Sequence, residues 1–176
     1  MLKKILLIIG ILLVGLFAYI GVVWVKDVWP VNDTSLKDEQ IGKLAIGMDE
    51  SQIKHYYPGF EIVSEDDVTL YYFDDETGFI VRADAKTNKI VCMELREKID
   101  GQKFTTGKGI GLGSSLADIK REYGTDYRKK NTEMYGDVIE FQDSKTNQKI
   151  GFGINATNDS VTVVVLYNYD VYKFPY

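Results

Sequence analysis

An internal repeat constrains the fold of this chain more than any other feature of its sequence. Residues 46–57 (IGMDESQIKHYY) align without a gap on residues 112–123 (LGSSLADIKREY). The aligned pairs of identical residues are Gly47 and Gly113, Ile53 and Ile119, Lys54 and Lys120, and Tyr57 and Tyr123. A repeat of this kind is typical of a domain built from copies of one supersecondary unit.

Each of the two segments begins with the pattern of a helix N-terminus. Asp49 with Gln52, and Ser115 with Asp118, place an oxygen acceptor three residues before a polar side chain, which resembles a capping box. Apolar residues then recur at helical spacing, and glycine follows closely. The sequence therefore predicts one short helix in each copy, with its apolar side facing a core.

Three runs rich in β-branched and aromatic residues follow each predicted helix, separated by turn-forming residues. These predicted strands cover residues 68–73, 79–84, 89–95, 137–142, 149–155 and 160–167. The predicted fold class of this part is α+β, with two repeats of a short helix plus a three-stranded antiparallel meander. Because one copy buries little surface, we expect repeat 1 (41–100) and repeat 2 (101–176) to pack as one domain.

The repeated pattern, Ile or Leu followed by Gly and then Ile-Lys-x-x-Tyr ahead of a meander, resembles the tandem repeats of β-lactamase-inhibitory-protein-like domains. It is similar also to the single helix-plus-meander unit of the SmpA/OmlA outer-membrane-assembly lipoproteins. The resemblance covers residues 41–169, but the lipobox cysteine of those lipoproteins is absent. It implies an extracytoplasmic scaffold that binds proteins.

The N-terminal segment predicts a membrane anchor. Residues 5–25 contain no charged residue and no proline. A helix rising about 1.5 Å per residue over this length spans a hydrocarbon core of about 30 Å. Because Lys3 and Lys4 precede the segment, we expect residues 1–4 in the cytoplasm and the rest outside, at the cell membrane.

A cleaved secretory signal is the alternative interpretation of this segment. The apolar run is longer than a usual signal core, and no small-x-small cleavage site follows it convincingly, so we favour the uncleaved transmembrane helix. Residues 26–40 are polar, contain a proline and show no sustained apolar period. They are predicted to form a linker between the anchor and the repeats.

Charge and residue types exclude several classes of function. The chain has 21 Lys and Arg against 26 Asp and Glu, a net charge of -5, so an acidic surface argues against a nucleic-acid partner. One histidine, His55, and one cysteine, Cys92, do not supply a usual zinc site. No nucleophile, base and orienting group are recognisable together. We therefore predict a protein that is not an enzyme and holds no cofactor or metal.

The aligned strands predict a binding surface on the exposed face of the sheet. Tyr71 and Phe73 are assigned to the core, which places Tyr72 on the opposite face with Arg82 and Glu94. The C-terminal tail, residues 167–176, is also aromatic, and an alternative is that it only completes the last strand and covers the sheet. The candidate binding residues are Tyr72, Arg82, Glu94, Tyr167, Tyr169 and Tyr172. Tyr and Arg dominate the binding energy of many protein interfaces, although an ordinary amphipathic outer face fits the same pattern.

These features together predict a membrane-anchored, extracytoplasmic protein-binding module without catalytic activity. One alternative is an inhibitor or accessory domain that acts on a cell-envelope enzyme. Another is a structural protein of envelope assembly. The partner is predicted to be a protein in each case, with the membrane contacted through residues 5–25.

Overall fold

The computed structural model describes Gly15 and residues 31–65, 68–75, 77–96 and 104–173. The chain divides into two compact units, Met1–Val31 and Asn32–Tyr176. All the strands and helices described below belong to the second unit.

The predicted transmembrane helix over residues 5–25 lies outside the described residues except for Gly15. In the part of the chain that the structure describes, no helix is long and apolar enough to cross a bilayer. The structure therefore gives no support to the predicted transmembrane or signal anchor, which had rested on the apolar sequence and length of residues 5–25 and on the lysines that precede them.

The second unit contains short helices and mainly β-strands. Two short strands, β1 (Gln40–Ile41) and β2 (Leu44–Ala45), precede helix α1 (Ser51–Tyr56). The next strands are β3 (Glu61–Glu65), β4 (Thr69–Asp74), β5 (Phe79–Asp84) and β6 (Lys89–Leu95). Helix α2 (Leu116–Tyr123) is followed by β7 (Arg128–Thr132), β8 (Gly136–Asp143), β9 (Gln148–Ile154) and β10 (Val161–Asn168).

Eight of these strands form a single antiparallel sheet in the order β3-β4-β5-β6-β10-β9-β8-β7. Strands β6 and β10 pair at its centre, where Met93 lies opposite Leu166. Strands β1 and β2 form a separate two-stranded sheet. The sheet order places β3 and β7 at the two edges.

The predicted fold class, α+β with a transmembrane helix and two repeats of helix plus three-stranded meander, is wrong. The described chain is mostly β, because its helices α1 and α2 have only six and eight residues. Four strands, not three, follow each helix, and all eight join one sheet. The strands absent from the prediction are β3 (EIVSE) and β7 (RKKNT). Polar and charged residues are common on edge strands, so these two lack the alternating apolar pattern that predicts a strand.

The hydrophobic core lies between the helices and one face of the sheet, which we call the inner face. Ile53 of α1 and Ile119 of α2 are fully buried in the same cluster as residues of β5, β8 and β9. Tyr123 of α2 lies with its ring centroid 5.4 Å from that of Phe141 and 5.1 Å from that of Phe152. These contacts hold α2 against the inner face.

Of the two predicted capping boxes, only the second is confirmed. The hydroxyl of Ser115 accepts a hydrogen bond from the amide of Asp118, whose carboxylate accepts one from the amide of Ser115. Helix α1 instead has Glu50 at its N-cap, without a side-chain cap. Asp49 lies one residue further out, where it accepts a hydrogen bond from the amide of Ser51.

The last part of the predicted linker over residues 26–40 packs against the sheet. The amide of Leu36 donates to a carboxylate oxygen of Asp143 at 2.8 Å, and the amide of Thr34 donates to the carbonyl oxygen of Gln142 at 2.8 Å. Leu36 is fully buried in the core. Leu36 is the only apolar residue of the stretch 32–40, and one such residue gives no periodic signal, so the sequence did not reveal this contact.

Candidate functional site

A second, smaller hydrophobic cluster lies on the sheet face that points away from the helices, which we call the outer face. Val164 and Leu166 belong to the inner core, so their neighbours along β10 point to the opposite side. The buried members of this outer cluster are Cys92, Val163, Val165 and Tyr167, and the residues packed against them are Tyr135, Tyr169 and Tyr172. None of these residues belongs to a helix. Within the described ranges, this cluster is thus formed by side chains of the strands and of the segments beside them.

Glu94 is a buried carboxylate at the centre of the outer face. Nη1 of Arg82 lies 3.2 Å from one oxygen, and Nε of Arg96 lies 2.6 Å from the other. The hydroxyl of Tyr135 donates a further hydrogen bond at 2.6 Å. These donors satisfy a charge that burial alone would destabilise.

Glu140 is held in the same way on the other half of the sheet. Nζ of Lys130 and Nζ of Lys149 lie 3.0 Å and 3.3 Å from one oxygen of this buried carboxylate. The hydroxyl of Tyr167 donates to the other oxygen at 3.0 Å. Two glutamates, each paired with two cations and one tyrosine, therefore organise the polar part of the outer face.

Aromatic rings flank the cations of this face. The guanidinium carbon of Arg82 lies 4.9 Å from the ring centroid of Tyr71 and 5.6 Å from that of Tyr172. Nζ of Lys149 lies 5.2 Å from the ring centroid of Tyr169. Tyr172 and Tyr167 meet edge to face, with their centroids 6.4 Å apart. Cation–π contacts at these distances fix the long cationic side chains in place.

Burial determines the protonation of the neutral groups in this cluster. It raises the pKa of the Cys92 thiol to about 12, so the thiolate form is scarce near neutral pH. Burial, and then the hydrogen bond to Glu94, raises the pKa of Tyr135. Burial also raises the pKa of Tyr172. Tyr135 and Tyr172 are therefore neutral near neutral pH, and Cys92 is not an activated nucleophile.

The structure brings most of the predicted binding residues together. Arg82, Glu94, Tyr167, Tyr169 and Tyr172 all belong to the contacts just described. These contacts join β5, β6, β10 and the segment after β10.

Tyr72 is the exception among the predicted binding residues. It lies on the inner face with 2% of its surface exposed, and its hydroxyl donates to Glu50. The pairing of β4 with β5 explains this, because Tyr72 lies opposite Val81 of the core whereas Tyr71 lies opposite Arg82. The prediction therefore assigned the faces of β4 one residue out of phase, and Tyr71 takes the outer position.

Sequence reasoning missed Arg96, Lys130, Tyr135 and Lys149 as members of the site, and it placed Glu140 on the outer face without naming it as a candidate binding residue. A glutamate inside an apolar run, as in VIEF around Glu140, indicates a buried carboxylate that needs cationic partners, so one signal was present. Arg96 and Tyr135 lie outside the predicted strands. No local pattern marks either of them.

Other groups of the described residues offer less chemistry. His55 is exposed on α1 and lies edge to face with Tyr56, with centroids 4.9 Å apart. Within the described ranges, no group of three or more His, Cys, Asp or Glu side chains is placed to hold a metal ion.

Comparisons with protein-family models, with curated proteins and with solved structures found no match to this chain. The resemblance to β-lactamase-inhibitory-protein-like and SmpA/OmlA-like repeats therefore stays a prediction.

Proposed function

We propose that this protein is a non-catalytic binding module that holds a protein partner on the outer face of its sheet. The observation that carries the proposal is the group formed by Arg82, Tyr71 and Tyr172, in which a guanidinium lies between two half-buried tyrosine rings. Tyrosine and arginine are the residues that most often dominate the energy of protein interfaces.

The arrangement also limits the entropy that binding would lose. Arg82 is held by Glu94 and by two rings, and Lys149 by Glu140 and by Tyr169. A rotamer-rich side chain that is immobilised on binding loses about 0.5–1.5 kcal/mol, so side chains that are already fixed bind more tightly. The hydrogen-bonded network therefore suits a surface that recognises a partner without rearrangement.

The first experiment is site-specific photo-crosslinking of the full chain in the cells that express it. A photoreactive phenylalanine replaces Tyr172 or Tyr169 on the outer face, and Lys54 or Arg121 on the helices serves as the matched control position. We expect one protein to be captured repeatedly from the outer-face positions and not from the helix positions. Equal capture from both sides, or none, would contradict the proposal.

The second experiment measures the affinity of the captured partner, once purified, for the full chain. Replacing Tyr172 or Tyr71 by Ala should weaken binding by about 30-fold, the effect of removing an interface hot-spot residue. Tyr56→Ala on α1 is the matched control, because Tyr56 is also half-buried but lies on a helix. An unchanged Kd for both outer-face variants would place the partner elsewhere.

A further inference from the structure

The ion-pair group on the outer face has a positive net charge although the chain as a whole has a net charge of -5. The cations of this group are Arg82, Arg96, Lys130 and Lys149, which surround the two carboxylates of Glu94 and Glu140. The group therefore keeps more positive than negative charge. An excess of one sign on one face attracts a partner of the opposite sign.

Arg96 is the most accessible of these cations. Its side chain is 45% exposed, against 14% for Arg82 and 27% for Lys130. Its Nε is held by Glu94, and its Nη2 lies 3.4 Å from the hydroxyl oxygen of Tyr135. Among the described residues, no side-chain or backbone oxygen accepts a hydrogen bond from its Nη1. The guanidinium is thus fixed in place with one edge still able to donate.

An open cavity of about 290 Å³ lies beside this guanidinium, lined by Arg96, Met134, Tyr135, Thr162 and Val163. Met134 is 60% exposed, so its apolar side chain is available for contact. Thr162 offers a hydroxyl on the same wall. The cavity therefore combines a cationic donor with apolar contact surface.

We propose that Arg96 binds an acidic side chain of the protein partner, while an adjacent apolar side chain of the same segment packs on Met134 and Val163. Guanidinium–carboxylate hydrogen bonds are about twice as strong as those between neutral groups, and their geometry is specific. The inference rests on the proposed protein-binding function and names the chemistry of the segment that the outer face recognises.

The direct test uses two short peptides as probes, acetyl-Glu-Leu-amide and acetyl-Gln-Leu-amide, titrated into the full chain. The Nε–H signal of Arg96 is followed by NMR. We expect a saturable shift with the Glu peptide and an affinity at least tenfold weaker with the Gln peptide. Equal responses to both peptides, or no response, would overturn the proposal.

Three further arms test the site itself. Arg96→Gln should abolish the perturbation of the neighbouring Thr162 and Val163 amide signals by the Glu peptide, whereas Arg121→Gln, on α2, should leave it unchanged. Met134→Ala removes an exposed side chain and should weaken binding of the Glu peptide about threefold without affecting folding. Inorganic phosphate is the third arm, and a shift of Arg96 as large as that caused by the peptide would show a general anion site and overturn the proposal.

The purified partner separates failure of this inference from failure of the proposed function. If Tyr172→Ala weakens binding of the partner but Arg96→Gln and Met134→Ala do not, the proposed binding face is supported and the proposed acidic contact is wrong. If none of the three variants changes the Kd, the proposed binding face itself is wrong. A loss of partner affinity of tenfold or more for Arg96→Gln, with the affinity of Arg121→Gln unchanged, supports both the binding face and the acidic contact.

Discussion

Nη1 of Arg82 lies 3.2 Å from a carboxylate oxygen of Glu94, and the two side chains are only 14% and 1% exposed. Arg96 contacts the same carboxylate from the other side. A buried ion pair of this kind contributes little compared with apolar residues of the same size. Removing Glu94 is different, because the charge of Arg82 then stays buried without its carboxylate partner.

Glu94→Gln should therefore lower the free energy of unfolding by about 3 kcal/mol, as for other broken buried pairs. Urea unfolding at neutral pH measures this change. The matched control is Glu122→Gln, since Glu122 pairs with Arg121 on the surface of α2, where an ion pair contributes about 0–1 kcal/mol. Similar losses in the two variants would show that the outer-face network does not depend on Glu94.

The segment before β1 should contribute to stability as part of the fold. Leu36→Ala removes a fully buried side chain and should lower the free energy of unfolding by about 2–5 kcal/mol. Lys37→Ala, at the exposed neighbouring position, should change it by about 0.5 kcal/mol or less. If the two variants were equally stable, the contact between Leu36 and the core would be absent in solution.

Regular, periodic elements were predictable from the sequence. The predicted strands over residues 79–84 and 89–95 have the same bounds as β5 and β6. Ile53 and Ile119, predicted from helical spacing, are both fully buried. In each of these segments apolar residues recur at the period of the element, so the local pattern and the core agree.

The remaining features depend on long-range contacts that carry no local signal. Strand β4 contains Leu70, Tyr71, Tyr72 and Phe73 in succession, so no alternation reveals which of its faces is buried. Irregular pairing adds to this, because the register of β5 with β6 shifts between Arg82 and Ala83. Beyond such a bulge, the inward and outward positions of one strand are shifted by one residue relative to those of its neighbour. The face of each aromatic residue on β4 is therefore determined by pairing and not by its own sequence.

Acid should weaken the fold partly through Asp118. The hydroxyl of Ser115, followed by Arg121, lowers the pKa of Asp118 from its ordinary value of 3.8 to about 2. In this interval the unfolded chain binds a proton more readily than the folded chain, so the stabilising effect is present above pH 3.8 and is lost as the pH falls towards 2. Asp118→Asn should therefore reduce the slope of stability against pH in this window.

Urea unfolding midpoints between about pH 2 and 6 measure that slope. Ser115→Ala removes the largest cause of the shift, so it should give a slope between those of the parent chain and Asp118→Asn. A carbon-13 NMR titration of the Asp118 carboxyl group reports its pKa directly. An ordinary value there would mean that the capping box does not persist in solution.

Substitution of the two adjacent tyrosines of β4 should have different effects, mainly on stability for Tyr72 and mainly on binding for Tyr71. Tyr72→Ala removes a side chain of the inner core and should lower the free energy of unfolding by about 3–5 kcal/mol, as for other large aromatic residues. Tyr71→Ala removes a half-buried ring that lies against Arg82, so the loss of stability should be about 1 kcal/mol. Partner affinity should fall only in the Tyr71 variant when binding is measured on folded protein.

Tyr72→Phe serves as the control, because it keeps the ring in the core and removes only the hydroxyl that donates to Glu50. A folded Tyr72→Ala chain with weakened binding, beside a normal Tyr71→Ala chain, would reverse the assignment of the two faces.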